Sequence, residues 1–176
     1  MNTALRHTPP TAMIRYAIGR CWLGTLLIAL GERGLCAILI GDEAQALARD
    51  LQARFPRARL VHDDAGLADA LTEIARFIQR PGDGLALPLA PQGTEFQQRV
   101  WQVLRQVPAG RTTTYTELAR ILGIPGSVRA VAGACAANPL AVVVPCHRVI
   151  RRDGGLAGYR WGLERKRALL EHEALP

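Results

Sequence analysis

The hydrophobic and polar positions in the first half of the chain predict a strand pair followed by two helices. Two runs rich in β-forming residues flank the polar turn 31–34, which is the pattern of an antiparallel hairpin. Further on, apolar residues recur at helical spacing in two segments. The predicted elements are strands at 22–30 and 35–40 and helices at 43–55 and 67–78. Residues 1–12 lack any such period, so we predict a flexible tail there, with structure beginning near Met13.

A segment dense in glycine and proline, 80–93, separates the two halves and predicts a domain boundary. We therefore expect an N-terminal domain over 13–90 and a C-terminal domain over 91–176. Three helices should follow the boundary, the first of them capped by Thr94. Their predicted ranges are 94–107, 114–122 and 127–137. The last two, joined by a short glycine-containing turn, form a helix-turn-helix candidate, although such pairs also occur in proteins that bind no ligand.

The third of these helices carries little side-chain bulk. Ala130, Gly133 and Ala134 are among its many small residues, and Arg129 is the one long side chain near its start. So slim a helix suits either a close approach to a nucleic-acid groove or tight packing inside a core. Gly133 weakens a helix from within, which favours a special reason for its presence.

The charge of the chain is concentrated in its second half. The 176 residues, with 49% hydrophobic and 21% charged side chains, have ordinary globular composition and suffice for one or two domains. Residues 1–92 have a net charge of +1, from 10 basic and 9 acidic residues, whereas residues 93–176 have +6, from 12 and 6. The second half is therefore the candidate for binding a polyanion, although many basic domains bind no nucleic acid.

The four cysteines do not form a metal-binding or disulfide pattern. Cys21, Cys36, Cys135 and Cys146 match neither a CxxC pair nor a zinc-finger spacing, so we expect no metal. Without a secretory signal they are typical of reduced thiols, and we predict a cytoplasmic location. The apolar stretch 21–40 is interrupted by a polar turn and is too short on either side to cross a membrane.

A cysteine with candidate chemistry follows the apolar run Ala141–Val144, which predicts a buried strand ended by Pro145. Cys146 stands beside His147 and Arg148, whose positive field would favour the nucleophilic thiolate. Adjacent residues of an extended segment point to opposite sides, so contact between the cysteine and the histidine would need a turn or a bridging water. Taken alone, this dipeptide is also compatible with an inert buried cysteine.

The run Val144–Ile150 closely resembles the active-site motif of the O6-alkylguanine-DNA alkyltransferases, the methylated-DNA–protein-cysteine methyltransferases. Other segments resemble the family in family order: 93–101, Tyr115, 127–131, 137–139 and 158–162. The resemblance is strong from residue 93 onward and weaker over 13–92, where it is most similar to the C-terminal part of bacterial Ada proteins. It implies an α+β fold of two domains. These are an N-terminal α/β ribonuclease-H-like domain and a C-terminal, mostly helical domain with a winged-helix-like helix-turn-helix.

The resemblance also implies a function in DNA repair. The methyl or alkyl group of O6-alkylguanine, and of O4-methylthymine, would pass irreversibly to Cys146, once per molecule and without a cofactor. The partner would be double-stranded DNA, bound through its minor groove by a monomer, with the damaged base turned out of the stack.

Catalytic roles come from the same resemblance. Cys146 would be the nucleophile and His147 the base, acting through water. Glu173 would orient the histidine, with Glu171 as the neighbouring competitor, and Asn138 would hold the loop around the cysteine.

The implied substrate contacts lie on either side of the cysteine. Tyr115 would rotate and contact the flipped nucleotide, and Tyr159 would wall the pocket. The Val149 carbonyl, with that of the cysteine, would accept from the guanine amino group, and the Arg160 amide would donate to O6. The residues implied in DNA binding are Thr94, Tyr115, Ser127, Arg129, Ala130, Gly133 and Ala134.

Two departures from family patterns refine these expectations. Trp161 stands where some members have glycine, which predicts a narrower pocket that handles methyl better than benzyl groups. Neither the N-terminal methyl-phosphate sensor nor the regulator domain of Ada fits within residues 1–92. The sequence is therefore either a stand-alone enzyme or a fragment, and Met1 favours the former.

Two alternatives remain open. A DNA-binding protein could recognise alkylated guanine without repairing it, but relatives of that kind lack the cysteine. A thiol hydrolase could use Cys146 and His147, but it would leave the DNA-facing features unexplained.

Overall fold

The first half of the chain forms a four-stranded sheet with strand order β3-β2-β1-β4. The computed structural model describes residues 12–174, so the predicted tail lies outside the described residues except for Ala12. β1, β2 and β3 pair antiparallel, and β4 pairs parallel to β1. The strands are β1 (Met13–Cys21), β2 (Gly24–Gly31), β3 (Gly34–Gly41) and β4 (Arg59–His62).

The predicted hairpin and the two helices after it are confirmed. The hairpin is β2–β3, and its strands are apolar at consecutive positions because both faces of the sheet are covered. Helix α1 (Ala44–Arg54) packs on one face, whereas α2 (Ala68–Gln79) joins the core on the other. β1 and β4 were not predicted, because β1 mixes exposed and buried positions and β4 has only four residues.

The glycine- and proline-rich connector runs beside β3. Leu35 donates its backbone N–H to the Pro88 carbonyl at 2.8 Å, and Ala90 donates back to the Leu35 carbonyl at 2.8 Å. Further along the strand, Ile38 donates to the Pro139 carbonyl at 2.9 Å. β3 is at the end of the strand order, and these bonds cover an edge that would otherwise be open to pairing.

The second half is helical. The three predicted helices are confirmed as α3 (Glu95–Leu104), α4 (Tyr115–Ile121) and α5 (Val128–Ala136), although α3 ends before the predicted Val107. Thr94 caps α3 in a reciprocal pair of bonds with Gln97. A fourth helix, α6 (Leu163–Glu173), was not predicted. Two short parallel strands complete this half, β5 (Thr113–Thr114) and β6 (Val149–Ile150).

The predicted buried strand over Ala141–Val144 is wrong, although its burial is correct. Val143 donates its N–H to the Ala141 carbonyl at 2.7 Å, so the chain reverses within three residues. Val142, at the centre of this turn, has φ 66°, a strained value for a β-branched residue. A second tight turn follows, in which the Cys146 N–H donates to the Val144 carbonyl at 2.8 Å. The two turns bring the chain to a 3-10 turn, Cys146–Arg148.

One hydrophobic core joins the sheet to the helices of the second half. Ile38 of the sheet, Ile74 of α2, Leu104 of α3 and Val131 of α5 belong to it, each with no exposed surface. The result is a mixed α/β fold in which the turns before Cys146 lie between the sheet and the helices. None of the helices within residues 12–174 is both long and apolar enough to cross a membrane.

Candidate active site

Cys146 is held by an asparagine that organises the turns before it. Asn138 has no exposed surface, and its side-chain amide donates to the Val144 carbonyl at 2.8 Å and to the Cys146 sulfur at 3.2 Å. Its side-chain oxygen accepts from the Leu140 N–H at 2.8 Å. The structure thus places Asn138 where the sequence predicts it, within the loop around the cysteine.

The surroundings of Cys146 favour the thiol form, contrary to the expectation that its neighbours favour the thiolate. Burial raises the pKa of Cys146 to about 11, although the bond from Asn138 and the charge of Lys166 oppose the change. Desolvation penalises a buried thiolate more than one hydrogen bond and one nearby cation stabilise it. A base is therefore needed to generate the nucleophile.

His147, the next residue, has a ring that could accept a proton. Its ring is fully buried, and Nε2 lies 2.8 Å from Oε1 of Glu173. A carboxylate only accepts, so Nε2 carries the proton and Nδ1 carries the lone pair. Nδ1 is buried without a hydrogen-bond partner among the described residues. Burial lowers the pKa of His147, with Glu173 acting in the opposite direction, so the ring is neutral and able to accept a proton.

Glu173 is anchored by Arg148. The guanidinium binds both carboxylate oxygens, from Nε at 2.8 Å and from Nη2 at 2.7 Å. Burial alone would raise the pKa of Glu173, but the bonds from His147 and Arg148 outweigh it and lower the pKa to about 2. Arg148 thus holds the Glu173 carboxylate in place. It does not stabilise a thiolate at Cys146 with its positive charge, as the sequence suggested. Glu171, the predicted competitor, is exposed.

Lys166 is a site residue that the sequence analysis missed. It has no exposed surface, and its ammonium donates to the Val149 carbonyl at 2.6 Å and to the Ala157 carbonyl at 3.3 Å. Its charge opposes the rise in the pKa of Cys146. One signal could have found it, because Lys166 is the only lysine in a chain whose other basic residues are all arginine.

A cavity of about 440 Å³ opens at the cysteine. It unites residues from α4, α5, the 3-10 turn and the irregular segment before α6. Its lining residues are Tyr115, Ala132, Cys135, Ala136, Cys146, Ala157, Gly158, Tyr159 and Arg160. The predicted substrate residues Tyr115, Tyr159 and Arg160 therefore meet at Cys146.

Two predicted substrate residues do not line this cavity. Trp161 is 5% exposed and packs edge-on against Tyr159, with ring centroids 5.2 Å apart. Trp161 therefore acts on the cavity through Tyr159, which also faces the His147 ring edge-on at 6.4 Å. Val149 is fully buried, and its carbonyl already accepts from Lys166.

The exposed face of α5 carries three of the seven predicted DNA-binding residues. Arg129, Ala130 and Gly133 are exposed, and Ser127, at the N-terminus, makes no capping bond with its side chain. A Cβ added to Gly133 would meet nothing within 4 Å, so packing inside the protein does not require this glycine. Ala134 is a correction, because it is 3% exposed and faces the core. Its carbonyl accepts from the indole nitrogen of Trp101 at 2.8 Å.

Comparisons with known proteins agree on one family. A family profile described as "6-O-methylguanine DNA methyltransferase, DNA binding domain" matches residues 95–175. The chain is 48% identical over 169 residues to the bifunctional transcriptional activator/DNA repair enzyme Ada of Escherichia coli, covering 96% of this chain and 48% of that protein. It is 42% identical over 120 residues to the inducible methylated-DNA–protein-cysteine methyltransferase of Bacillus subtilis, covering 68% of this chain and 67% of that protein.

A solved structure has the same fold over nearly the whole chain. Mycobacterium tuberculosis OGT in complex with DNA gives a TM-score of 0.76 at 34% identity, covering 91% of this chain and 92% of that one. Fold and site together define a class of mixed α/β proteins with a buried cysteine beside a histidine–glutamate pair. The chain belongs to the methylated-DNA–protein-cysteine methyltransferase family. It spans about half the length of the Ada proteins of Escherichia coli and Salmonella typhimurium.

Proposed function

We propose that this protein repairs DNA by transferring a methyl or other alkyl group from O6 of guanine, and from O4-methylthymine, to its own Cys146. The observation that carries the proposal is the cavity at this cysteine. Tyr115, Tyr159 and Arg160 line the same cavity. His147 lies in the same turn as Cys146, and Glu173 reaches it from the end of α6. A nucleophile, a base and a pocket of about 440 Å³ thus lie together.

The transfer is a single displacement at the alkyl carbon. His147 accepts the thiol proton through a water molecule, and the sulfur of Cys146 forms a bond to the alkyl carbon as the bond from carbon to O6 breaks. The electron pair of the broken bond stays on the base, which takes up a proton and becomes guanine. Glu173 stabilises the imidazolium formed in this step.

The pocket residues receive roles that suit their surroundings. The Arg160 backbone N–H has no hydrogen-bond partner within residues 12–174, so it is free to donate to O6 as charge develops there. Tyr115 contacts the flipped base, and the carbonyls of Cys146 and Val149 accept from its amino group. Each of these carbonyls already has one partner, but an oxygen with two lone pairs can accept a second bond.

For DNA binding we propose that α4 and α5 act as a helix-turn-helix in the minor groove. The open space above Gly133 allows the backbone of α5 to approach the DNA closely. Arg129 is exposed and has no ion-pair partner among the described residues, which suits it to fill the space left by the extruded base. Ser127 and Thr94 would contact the backbone of the DNA.

The proposal extends to the domains, the oligomeric state and the location of the protein. We propose a ribonuclease-H-like domain over 13–90 and a DNA-binding alkyltransferase domain over 91–176, acting as a monomer. A cytoplasmic location suits the four cysteines, all of which are unpaired thiols. S-alkylcysteine is a poor leaving group, so each molecule acts once and needs no cofactor.

Intact mass spectrometry after incubation with duplex DNA containing one O6-methylguanine tests this function. We expect one added methyl group per protein, located at Cys146 and absent from Cys146→Ala. Tight binding to the lesion without a gain in mass would support recognition without repair. Repeated turnover of small acyl substrates would support a thiol hydrolase.

The same assay with O6-benzylguanine tests the shape of the pocket. Trp161 packs behind Tyr159, so the wall has little freedom to move outward for a bulky group. We expect methyl to be transferred faster than benzyl, and equal rates would contradict a narrow pocket.

A further inference from the structure

An ion pair ties the wall of the cavity to the first helix of the chain. Arg160 lines the cavity, and its guanidinium donates from Nη2 to Oδ1 of Asp50 at 2.9 Å. Asp50 belongs to α1, which packs on the sheet far along the chain from the catalytic cysteine. Both side chains are 34% exposed, so the pair is partly shielded from water.

A second guanidinium faces the same carboxylate. Nε of Arg54, one turn further along α1, lies 3.5 Å from Oδ2 of Asp50. The Nε and Nη2 atoms of Arg54 are buried and make no hydrogen bond within the described part of the chain. Burial lowers the pKa of Arg54, and the charge of Arg160 lowers it further. One carboxylate therefore separates two arginines that would otherwise repel each other.

Other restraints on the wall segment 157–161 act on either side of Arg160: Trp161 packs against Tyr159, and Arg165 donates to the Trp161 carbonyl at 3.0 Å. At its start, the Ala157 carbonyl accepts from Lys166 at 3.3 Å, and beyond its end the Gly162 N–H donates to the Tyr159 carbonyl at 3.0 Å. A Cβ added to Gly158 would meet nothing within 4 Å, so this part of the segment is loosely packed. The bond to Asp50 is thus the restraint on Arg160 itself, between neighbours that are held by other contacts.

We propose that Asp50 is a positioning residue that sets the rate and the lesion preference of alkyl transfer. It holds Arg160, so that the backbone N–H of Arg160 stays directed into the cavity and the wall stays close to Cys146. Arg54 reinforces the effect, because loss of the carboxylate leaves two like charges that push the wall outward. The inference rests on the proposed alkyl transfer, and it gives the N-terminal half a part in the reaction through Arg160.

Single-turnover rates of Asp50→Asn at saturating lesion DNA test this role. A wall displaced by about 1 Å costs one to two powers of ten in rate, so we expect methyl transfer to slow by at least about tenfold. Benzyl transfer should slow less, because a looser wall admits the larger group. The ratio of benzyl to methyl rates therefore rises, while the affinity for lesion DNA stays the same. Glu32→Gln, which removes a carboxylate from the exposed turn between β2 and β3, is the matched control.

A double-mutant cycle shows whether the two residues act through each other. Arg160→Gln should slow methyl transfer as Asp50→Asn does, and the double variant should be no slower than the slower single variant. Independent, additive losses would overturn the proposal.

Amide hydrogen exchange supplies a readout that does not depend on activity. We expect peptides covering 157–161 to exchange faster in Asp50→Asn than in wild type or Glu32→Gln, with little change in melting temperature. Methyl rates and exchange equal to those of the control would overturn the inference. So would an equal loss for both lesions together with a lower melting temperature. A wild-type protein that gains no methyl group would instead overturn the proposed function.

Discussion

At the scale of residues, the central feature is that Cys146 and His147 are both neutral before the reaction. Burial raises the pKa of the thiol to about 11 and lowers that of the imidazole. In thiol enzymes that hold a thiolate–imidazolium pair, the charges exist before substrate binds. Here the two groups would become charged only in the course of the proposed alkyl transfer.

The rate of methyl transfer should accordingly depend on the protonation of His147. As pH falls through its lowered pKa, the ring becomes protonated and loses the lone pair that accepts the thiol proton. We expect single-turnover rates to be constant around neutrality and to fall only below the usual range of histidine titration, about pH 6.5. Rates measured between about pH 5 and pH 9 at saturating DNA check this.

A mechanism in which solvent removes the thiol proton gives a different profile. The rate would then rise about tenfold per pH unit toward the pKa of the thiol, and such a rise would contradict the role of His147. Reaction of Cys146 with iodoacetamide in the absence of DNA is the matched control, since it should show that rise.

At the scale of elements, α5 combines a buried face with an exposed face almost without side chains. Val131 and Cys135 face the core, whereas Ala130 and Gly133 face outward. The glycine costs helix stability, and nothing inside the protein requires it. The loss of helix stability at Gly133 has an explanation if a bound molecule occupies the open space beside this glycine.

Substitutions at Gly133 should separate stability from DNA binding. Gly133→Ala should raise the free energy of unfolding by about 1 kcal/mol, because alanine is the better helix former and its methyl group meets no neighbour. Gly133→Leu should fold as well as wild type but bind duplex DNA weakly, because its side chain blocks close approach. Urea unfolding and fluorescence anisotropy with a labelled duplex measure the two effects.

Ala46→Leu, at an exposed position of α1, controls for added bulk on a helix surface and should leave DNA affinity unchanged. If Gly133→Leu binds DNA like wild type, α5 does not enter a groove.

Some strands and helices could be predicted from the sequence alone, and others could not. The pattern of apolar residues predicted the hairpin β2–β3 and the helices α1, α2 and α3, because burial on one face or on both leaves a local pattern. The helices α4 and α5 were predicted beside the turns that end them. The run before Pro145 was misassigned, since four buried apolar residues have the same pattern in a strand and in a tight turn. What distinguishes them is the set of bonds from Asn138, which the linear pattern does not contain.

Contacts between segments that are distant in the sequence could not be predicted either. The resemblance assigned Glu173 to His147, but it gave no partner to Arg148, which pairs with Glu173 and not with the cysteine. The ion pair between Asp50 and Arg160 joins positions 110 residues apart, and neither has a local signal.

At the scale of the whole molecule, α6 packs back against the 3-10 turn Cys146–Arg148. Glu173 at its C-terminal end binds both His147 and Arg148, and Arg148 also donates to the Val107 carbonyl beyond α3. Lys166 on the same helix binds the carbonyls of Val149 and Ala157. A single helix thus supports both His147, the proposed catalytic base, and the wall of the cavity.

Glu173→Gln should destabilise the whole protein as well as slow the reaction. It leaves Arg148 buried without a counter-charge, and we expect a loss of about 3 kcal/mol in the free energy of unfolding at pH 7. Because the pKa of Glu173 is lowered to about 2 in the folded state, its contribution is complete above the usual carboxylate range and declines as pH falls. The difference from wild type should therefore be about 1 kcal/mol smaller at pH 3.5 than at pH 7.

Urea unfolding at the two pH values measures this difference. Glu171→Gln, which changes an exposed carboxylate two residues away, should have little effect at either pH. A difference between Glu173→Gln and wild type that does not change with pH would mean that the carboxylate is not held by charge.

The burial of Lys166 has a consequence for labelling. It is the only lysine of the chain, and its ammonium is inside the fold, so the folded surface has no ε-amine for acylating reagents. Activated esters would therefore not modify the wall of the cavity through Lys166 while the protein is folded.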